Sequence, residues 1–117
     1  MAHKGYTVAT MLYKFKSKAA GDLIMLEANG RGVLQIIGKD AGPTGIILPE
    51  QMAAAVAALN AAMAREEAEQ QAAIACAKAE GAPIPKFDAI NLRKRAAPMV
   101  DMLARCAKEN ASITWGV

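Results

Sequence analysis

The chain has 117 residues, which fits a single domain, and 54% of them are hydrophobic, with alanine strongly represented. Charged residues make up 21% of the chain, which excludes a disordered composition, and the net charge of +3 permits only weak attraction to polyanions. No apolar run is long enough to cross a bilayer, and the N-terminus lacks the apolar segment of a signal peptide. We therefore expect a cytoplasmic protein with no membrane partner and with reduced cysteines.

The first ten residues, 1–10, show no hydrophobic period and predict a loose N-terminal arm. A single α+β domain is expected over 11–117, with a variable, exposed helix end and linker near 65–90. Met11 is a second candidate for the natural start of the chain.

Residues 11–16 alternate between apolar and mixed positions, which predicts a half-buried edge strand. Ser17 is then expected to cap a helix that ends at Gly38. The inward side of this helix is predicted from apolar residues and a glycine near the helical repeat: Leu23, Leu26, Gly30, Val33 or Leu34, and Ile37.

Gly30 and Gly32 are costly inside a helix, so they predict either close approach of another backbone or a break. Their spacing lacks the third glycine of a dinucleotide fingerprint, because Gln35 stands in its place, and no strand directly precedes them.

Residues 45–48 form a short apolar run that predicts a brief third strand. Pro49 suits the first turn of a long helix that reaches Glu80 and ends at Gly81. That helix would be about 48 Å long, so it either projects from the domain or breaks near 64–71. Residues 81–88 contain two prolines and predict an exposed linker.

Asn91 can cap the last helix, in which Pro98 is expected to cause a kink or a restart. Alternation of apolar residues over 113–117 then predicts a closing strand that pairs with 11–16. The predicted architecture is α+β, with three helices packed on a small sheet of two or three short strands and the two terminal strands paired.

Several short motifs resemble a small proteobacterial family catalogued as a domain of unknown function, number eighteen-forty. The matching residues are Met11-Leu12-Tyr13-Lys14-Phe15-Lys16-Ser17-Lys18-Ala19, Gly45-Ile46-Ile47, Glu50-Gln51-Met52, Leu92-Arg93, Arg95-Ala96, Pro98 and Trp115-Gly116-Val117. Lys94 stands where the family is expected to have glutamine, and Leu48 where threonine is common. The resemblance implies a cytoplasmic protein and brings no activity, substrate, cofactor or catalytic residue with it.

The residues offer little for catalysis or metal binding. The only histidine, His3, lies in the arm, and with Cys76 and Cys106 it does not give the spacing of a zinc site. We therefore predict no catalytic residues, no cofactor and no metal. Cys106 is interpreted as a small buried residue, and a reactive thiol there is the alternative.

Arg93, Lys94 and Arg95 place three cations in the first turn of a helix, where the helix dipole opposes them. One interpretation is pairing with nearby carboxylates, including the cluster at 66–69. The other is an anion-binding patch for phosphate groups, a nucleic-acid backbone or an acidic partner. Trp115 either closes the core or anchors a partner.

The leading functional hypothesis is a small, non-enzymatic binding or adaptor module with an unknown protein partner, or one that self-associates as a homodimer through its alanine-rich helix. The alternative is polyanion or nucleic-acid-backbone binding through Arg93, Lys94 and Arg95. A third hypothesis is a thiol-dependent enzyme that uses Cys106. The candidate contact residues are Arg93, Lys94, Arg95 and Trp115.

Overall fold

The computed structural model describes residues 12–116, so the predicted arm at 1–10 and the alternative start at Met11 lie outside the described residues. The elements follow one another along the chain as two strands, a helix, a strand, two helices and a last strand. They are β1 Leu12–Ser17, β2 Ala20–Leu26, α1 Glu27–Ile36, β3 Gly45–Ile47, α2 Pro49–Glu80, α3 Leu92–Lys108 and β4 Ile113–Trp115.

The four strands form one antiparallel sheet in the order β2-β1-β4-β3. The prediction that β1 is an edge strand was wrong, because β1 pairs with β2 on one side and with β4 on the other. The predicted pairing of the terminal strands is confirmed, since Phe15 lies opposite Trp115. The α+β class with three helices is also confirmed. The expected count of two or three strands was too low, because the described residues contain four.

The missing strand is β2, where the sequence predicted the beginning of a helix. A two-residue turn at 18–19 reverses the chain, so that Ala20 lies opposite Ser17. The Ser17 hydroxyl accepts a hydrogen bond from the Ala19 N–H at 3.2 Å and therefore supports this turn rather than a helix. Residues 23–26 are a continuous apolar run, which periodicity cannot assign to a helix or a strand, and pairing with β1 selects the strand.

Helix α1 begins at Glu27 and buries Gly30, Val33 and Leu34. The predicted end at Gly38 is confirmed in a shifted form: Ile37 is the cap residue, and Gly38 follows it with a φ of 82°. The N–H groups of Gly38 and Lys39 donate to the carbonyls of Gln35 and Leu34, which satisfies the last turn of the helix.

Helix α2 is continuous over 32 residues and ends in the left-handed conformation at Gly81. Its first half carries an apolar stripe, in which Met52, Leu59 and Met63 are buried and Val56 is partly buried. The second half extends past the core, in agreement with a longest dimension of 52 Å for the molecule. Of the two alternatives predicted for this helix, projection from the domain is observed and a break near 64–71 is not, because alanine sustains the helix there.

Helix α3 runs through Pro98 without a restart and buries a face that includes Ala96, Met99 and Leu103. Asn91 caps it as predicted, since its side-chain oxygen accepts a hydrogen bond from the Lys94 N–H at 3.0 Å. The three helices and the inward residues of the strands share one core cluster. The helices therefore cover one face of the sheet, and the other face is left uncovered.

Candidate functional site: the open face of the sheet

The uncovered side of the sheet, here called the open face, presents several large aliphatic side chains. Strand alternation sends Tyr13 and Phe15 into the core and their neighbours outward. The outward residues define the open face: Leu12, Lys14, Lys16, Asp22, Ile24, Leu26, Ile46 and Thr114.

Four apolar residues of the open face are exposed. Ile24 and Leu26 on β2 are 56% and 62% exposed, and Leu12 and Ile46 are also exposed. Leu12 lies directly opposite Leu26 in the β1–β2 ladder, so these two side chains are cross-strand neighbours. Polar residues are the usual choice on the solvent side of a half-covered antiparallel sheet. Aliphatic residues on this face indicate a surface that is suited to being covered.

Charges on the open face are predominantly positive. Lys14 forms an ion pair with Asp22, with 3.6 Å between the Nζ and Oδ2 atoms, and both side chains are about half exposed. Asp22 is the single carboxylate among the eight residues of the open face. No described carboxylate forms an ion pair with Lys16.

Two hollows border the open face and share residues with it. The first, of about 460 Å³, lies between β1 and the loop before β3, and its lining includes Leu12, Lys14, Lys16 and Arg31. In the same hollow, Arg31 pairs with Glu27 at 3.0 Å, and this hydrogen bond raises the pKa of Arg31.

The second hollow, of about 570 Å³, lies around the β1–β2 turn and is lined in part by Lys16, Lys18 and Thr114. Lys16 stands between the two hollows, because it lines both. The hollows therefore bring the cations of β1, Arg31 and the β1–β2 turn together with two carboxylates, Glu27 and Asp22.

The aromatic residues lie on the opposite, inner side of the sheet. Tyr13 stacks on Phe15 with 6.0 Å between ring centroids, and Phe15 meets Trp115 edge to face at 5.8 Å. The Trp115 Nε1–H donates to the carbonyl of Gly42 at 3.1 Å, and the Tyr13 hydroxyl donates to that of Ala41 at 2.9 Å. These bonds fasten the α1–β3 loop to the sheet.

Trp115 is only 2% exposed, so the structure places it in the core, in agreement with the core-closing interpretation. Its indole N–H is satisfied within the chain. The open face is therefore aliphatic, and Trp115 is not part of it.

The cationic turn of α3 lies away from the open face, against the outer half of α2. Arg93 donates two hydrogen bonds to Glu67, from Nε at 2.7 Å and from the terminal guanidinium nitrogen Nη2 at 2.9 Å. This bond lowers the pKa of Glu67 and raises that of Arg93. The sequence interpretation of pairing with the 66–69 cluster holds for Arg93.

The rest of the turn is also partly engaged. Arg95 donates to the carbonyl of Ile90 at 2.8 Å, and the carboxylate of Glu66 accepts from the N–H of Leu92 at 3.1 Å. A carboxylate interacts favourably with the dipole at a helix N-terminus, so Glu66 offsets part of the unfavourable interaction between the dipole and the three cations. Among these three cations, Lys94 alone has a side chain that forms no hydrogen bond or ion pair within residues 12–116.

The two thiols occupy opposite environments. Cys106 is buried in the core with an exposure of 0%, and Cys76 is exposed on α2, where its thiol lies 3.3 Å from Glu80.

Within residues 12–116, no three of His, Cys, Asp and Glu come together as a metal-ligand group. The same residues include no helix long and apolar enough to cross a bilayer.

Sequence reasoning missed most of the open face. It put Leu12, Lys14 and Lys16 on one side of β1 but did not consider that side as a surface, and it assigned Leu26 to the buried side of a helix. The signal was the apolar run at 23–26: if these residues form a strand, one alternate pair faces the core and the other, also apolar, faces outward.

The chain matches the family described as a domain of unknown function, DUF1840, over residues 11–115. The chain belongs to the DUF1840 family. No curated protein and no solved structure matches it significantly. All four strands of this DUF1840 protein fall within the matched residues, so the open face is part of the family domain. A proteobacterial origin for the family stays a prediction.

Proposed function

We propose that this DUF1840 protein is a small, cytoplasmic, non-enzymatic binding or adaptor module that holds a protein partner on the open face. The observation that supports this most directly is the exposure of Leu12, Ile24, Leu26 and Ile46 on one side of a sheet whose other side is fully packed. Leu12, Ile24 and Leu26 are neighbours in the β1–β2 ladder, whereas Ile46 is separated from them by Thr114 and Lys16. An exposed apolar patch such as the one on β1 and β2 is typical of interaction sites.

The position of these residues also supports the proposal. Ile24 and Leu26 occur in a strand whose alternate residues, Leu23 and Met25, already reach the core. Replacing the outward pair with polar residues would leave the core intact, so core packing gives no reason for their hydrophobicity. Binding gives one.

The experiment is site-specific photocrosslinking in the native host. A photoreactive phenylalanine at position 24 is expected to yield a discrete crosslinked product, to be identified by mass spectrometry and rebuilt from purified components. The matched control carries the same residue at Ala75, an exposed position on the outer half of α2. No product at positions 24, 26 or 46, or equal products at position 75, would contradict the proposal.

Polyanion binding through Arg93, Lys94 and Arg95 is the second candidate, with less support. Arg93 is held by Glu67, and Arg95 is held by the carbonyl of Ile90. Anisotropy titrations of labelled RNA and DNA at two salt concentrations test it, with all three residues changed to glutamate. Salt-sensitive binding that this variant loses would favour the second candidate.

A thiol-dependent enzyme has the least support, because Cys106 is fully buried. Self-association through the alanine-rich helix α2 remains a further form of the binding proposal. Light scattering on the purified chain checks it, and a purely monomeric mass would argue against it.

A further inference from the structure

We infer that the partner of the open face is an acidic, amphipathic α-helix, an inference that rests on the proposed binding function. Its chemistry is a stripe of aliphatic side chains flanked by aspartate or glutamate.

The geometry favours a helix over an extended peptide. The exposed aliphatic side chains stand on the face of the sheet, whereas an added strand would pair at an edge and leave them uncovered. Four strands at a spacing of about 4.8 Å make a face about 14 Å wide, and a helix with side chains is about 10–12 Å across. Leu12, Ile24 and Leu26 lie side by side on β1 and β2, so a helix laid on them would have the lysines of β1 along its margin.

The charges favour an acidic partner. Lys14, Lys16, Lys18 and Arg31 stand on or beside the open face, as the linings of the two hollows show. Two carboxylates accompany them, Asp22 and Glu27, and each is held in an ion pair with one of those cations. The remaining positive charge belongs to Lys16 and Lys18, and glutamates along a bound helix would meet it.

The same charges disfavour a second copy of this chain on the face. A two-fold contact places the same patch on both subunits, so two surfaces with surplus positive charge would meet. The cationic surplus therefore argues for a different molecule as the occupant.

Two other classes of partner fit less well. Single-stranded nucleic acid needs exposed aromatic rings for base stacking, and Tyr13, Phe15 and Trp115 all point into the core. An anionic membrane surface would have to accept Asp22, whose ion pair with Lys14 lies next to Ile24. A helix can leave that ion pair at its margin, in water.

The test uses three labelled, helix-stabilised peptides of about 18 residues, or about 27 Å. One has leucines at helical spacing and glutamate elsewhere, the second has the same leucines with lysine in place of glutamate, and the third is an acidic scramble without an apolar stripe. Each is titrated by fluorescence anisotropy against the purified full chain.

The acidic amphipathic peptide is expected to bind at least about ten-fold more tightly than the other two. The double change Lys16→Glu and Lys18→Glu is expected to remove that preference, and Ile24→Thr is expected to weaken binding without unfolding the chain. Lys78→Glu is the matched control, because Lys78 is exposed on the outer half of α2. Changes in backbone NMR shifts that are confined to the strands of the sheet and are largest in β1 and β2 would support docking on the open face.

Several results would overturn the inference and leave the binding function standing. Equal binding of the acidic and basic peptides would remove the role of charge. A crosslink at position 24 without binding of any peptide would mean that the partner is not a helix. Sedimentation with phosphatidylserine vesicles that Ile24→Thr abolishes would assign the face to a membrane, and a dimer lost in that variant would assign it to a second copy. Absence of both crosslinks and peptide binding would overturn the inference and the function together.

Discussion

The indole ring of Trp115 lies directly over the α-carbon of Gly45, its partner across the β3–β4 ladder. A β-carbon at position 45 would overlap the ring, so the short third strand can approach the tryptophan only because residue 45 is glycine. This contact joins the last strand to the loop whose Gly42 carbonyl accepts the indole N–H. The packing against Gly45 and the hydrogen bond to Gly42 hold the Trp115 side chain in the core.

The first prediction concerns this contact. Gly45→Ala is expected to lower the free energy of unfolding by about 1–3 kcal/mol, because the added methyl group displaces a buried ring. The control is Gly42→Ala, where the nearest atom would be 3.9 Å from the new β-carbon and the expected change is within about 0.5 kcal/mol. Urea unfolding measures both. Equal stabilities would mean that the ring moves freely.

A second prediction compares the two glycines of α1. A β-carbon at Gly30 would lie 2.6 Å from the Tyr13 ring, whereas at Gly32 it would meet nothing within 4 Å. Gly30→Ala is therefore expected to destabilise the protein. Gly32→Ala is expected to stabilise it by about 0.5–1 kcal/mol through helix propensity. Thermal unfolding of the pair checks the opposite signs, and two changes of the same sign would contradict this packing of Tyr13.

The close approach that the sequence predicted at Gly30 is thus real, but its partner is the ring of Tyr13 and not another backbone. Gly32 has no comparable neighbour. The two glycines look alike in the sequence and differ only in what faces them.

A third prediction concerns the Arg93–Glu67 ion pair. The hydrogen bond from Arg93 lowers the pKa of Glu67. Near that pKa, Glu67 is therefore protonated to a smaller extent in the folded protein than in the unfolded chain. The contribution of the ion pair to stability is complete above the pKa of about 4.3 that glutamate has in the unfolded chain, and it is lost as the pH falls through the pKa of Glu67 in the folded protein. A double-mutant cycle with Arg93→Ala and Glu67→Ala, followed by unfolding at several pH values, measures it.

In that cycle the coupling between the two residues is expected to be favourable and small at neutral pH, to weaken with salt, and to vanish in acid. Both side chains are about half exposed, which limits the effect. A coupling that persists after Glu67 is protonated would show that contacts other than the ion pair join the helices.

A fourth prediction concerns the cap of α3. Asn91→Ala is expected to cost about 1 kcal/mol, because the Lys94 N–H loses its acceptor at the helix start. Asn91→Ser keeps a capping oxygen and is expected to restore most of that stability. Chemical denaturation of the three proteins provides the comparison, and an alanine variant as stable as the parent would mean that water replaces the side chain at no cost.

A fifth prediction concerns the thiols. A mild disulfide reagent is expected to modify Cys76 rapidly in the folded protein and Cys106 only after denaturation, because Cys106 is 0% exposed. A Cys76→Ser variant isolates the buried thiol. Fast modification of Cys106 in the native state of that variant would bring the thiol-dependent enzyme back into consideration.

The sequence alone determined the features that depend on neighbours along the chain. Alternation marked β1 and β4, the asparagine at position 91 marked the start of α3, and alanine with Pro49 and Gly81 marked α2. These signals are local, because a cap, a turn or a helical stripe is satisfied within a few residues. Family membership could likewise be recognised from short motifs, and the match over 11–115 confirms it.

The tertiary structure decided what depends on residues far apart. Residues 20–26 fit a helix or a strand equally well, and only pairing with β1 made them a strand and turned Ile24 and Leu26 outward. Arg93 found its partner 26 positions away, because α2 continued past the core to meet α3. Which face of a sheet stays open is set by where the helices pack, and no pattern within a single strand contains that information.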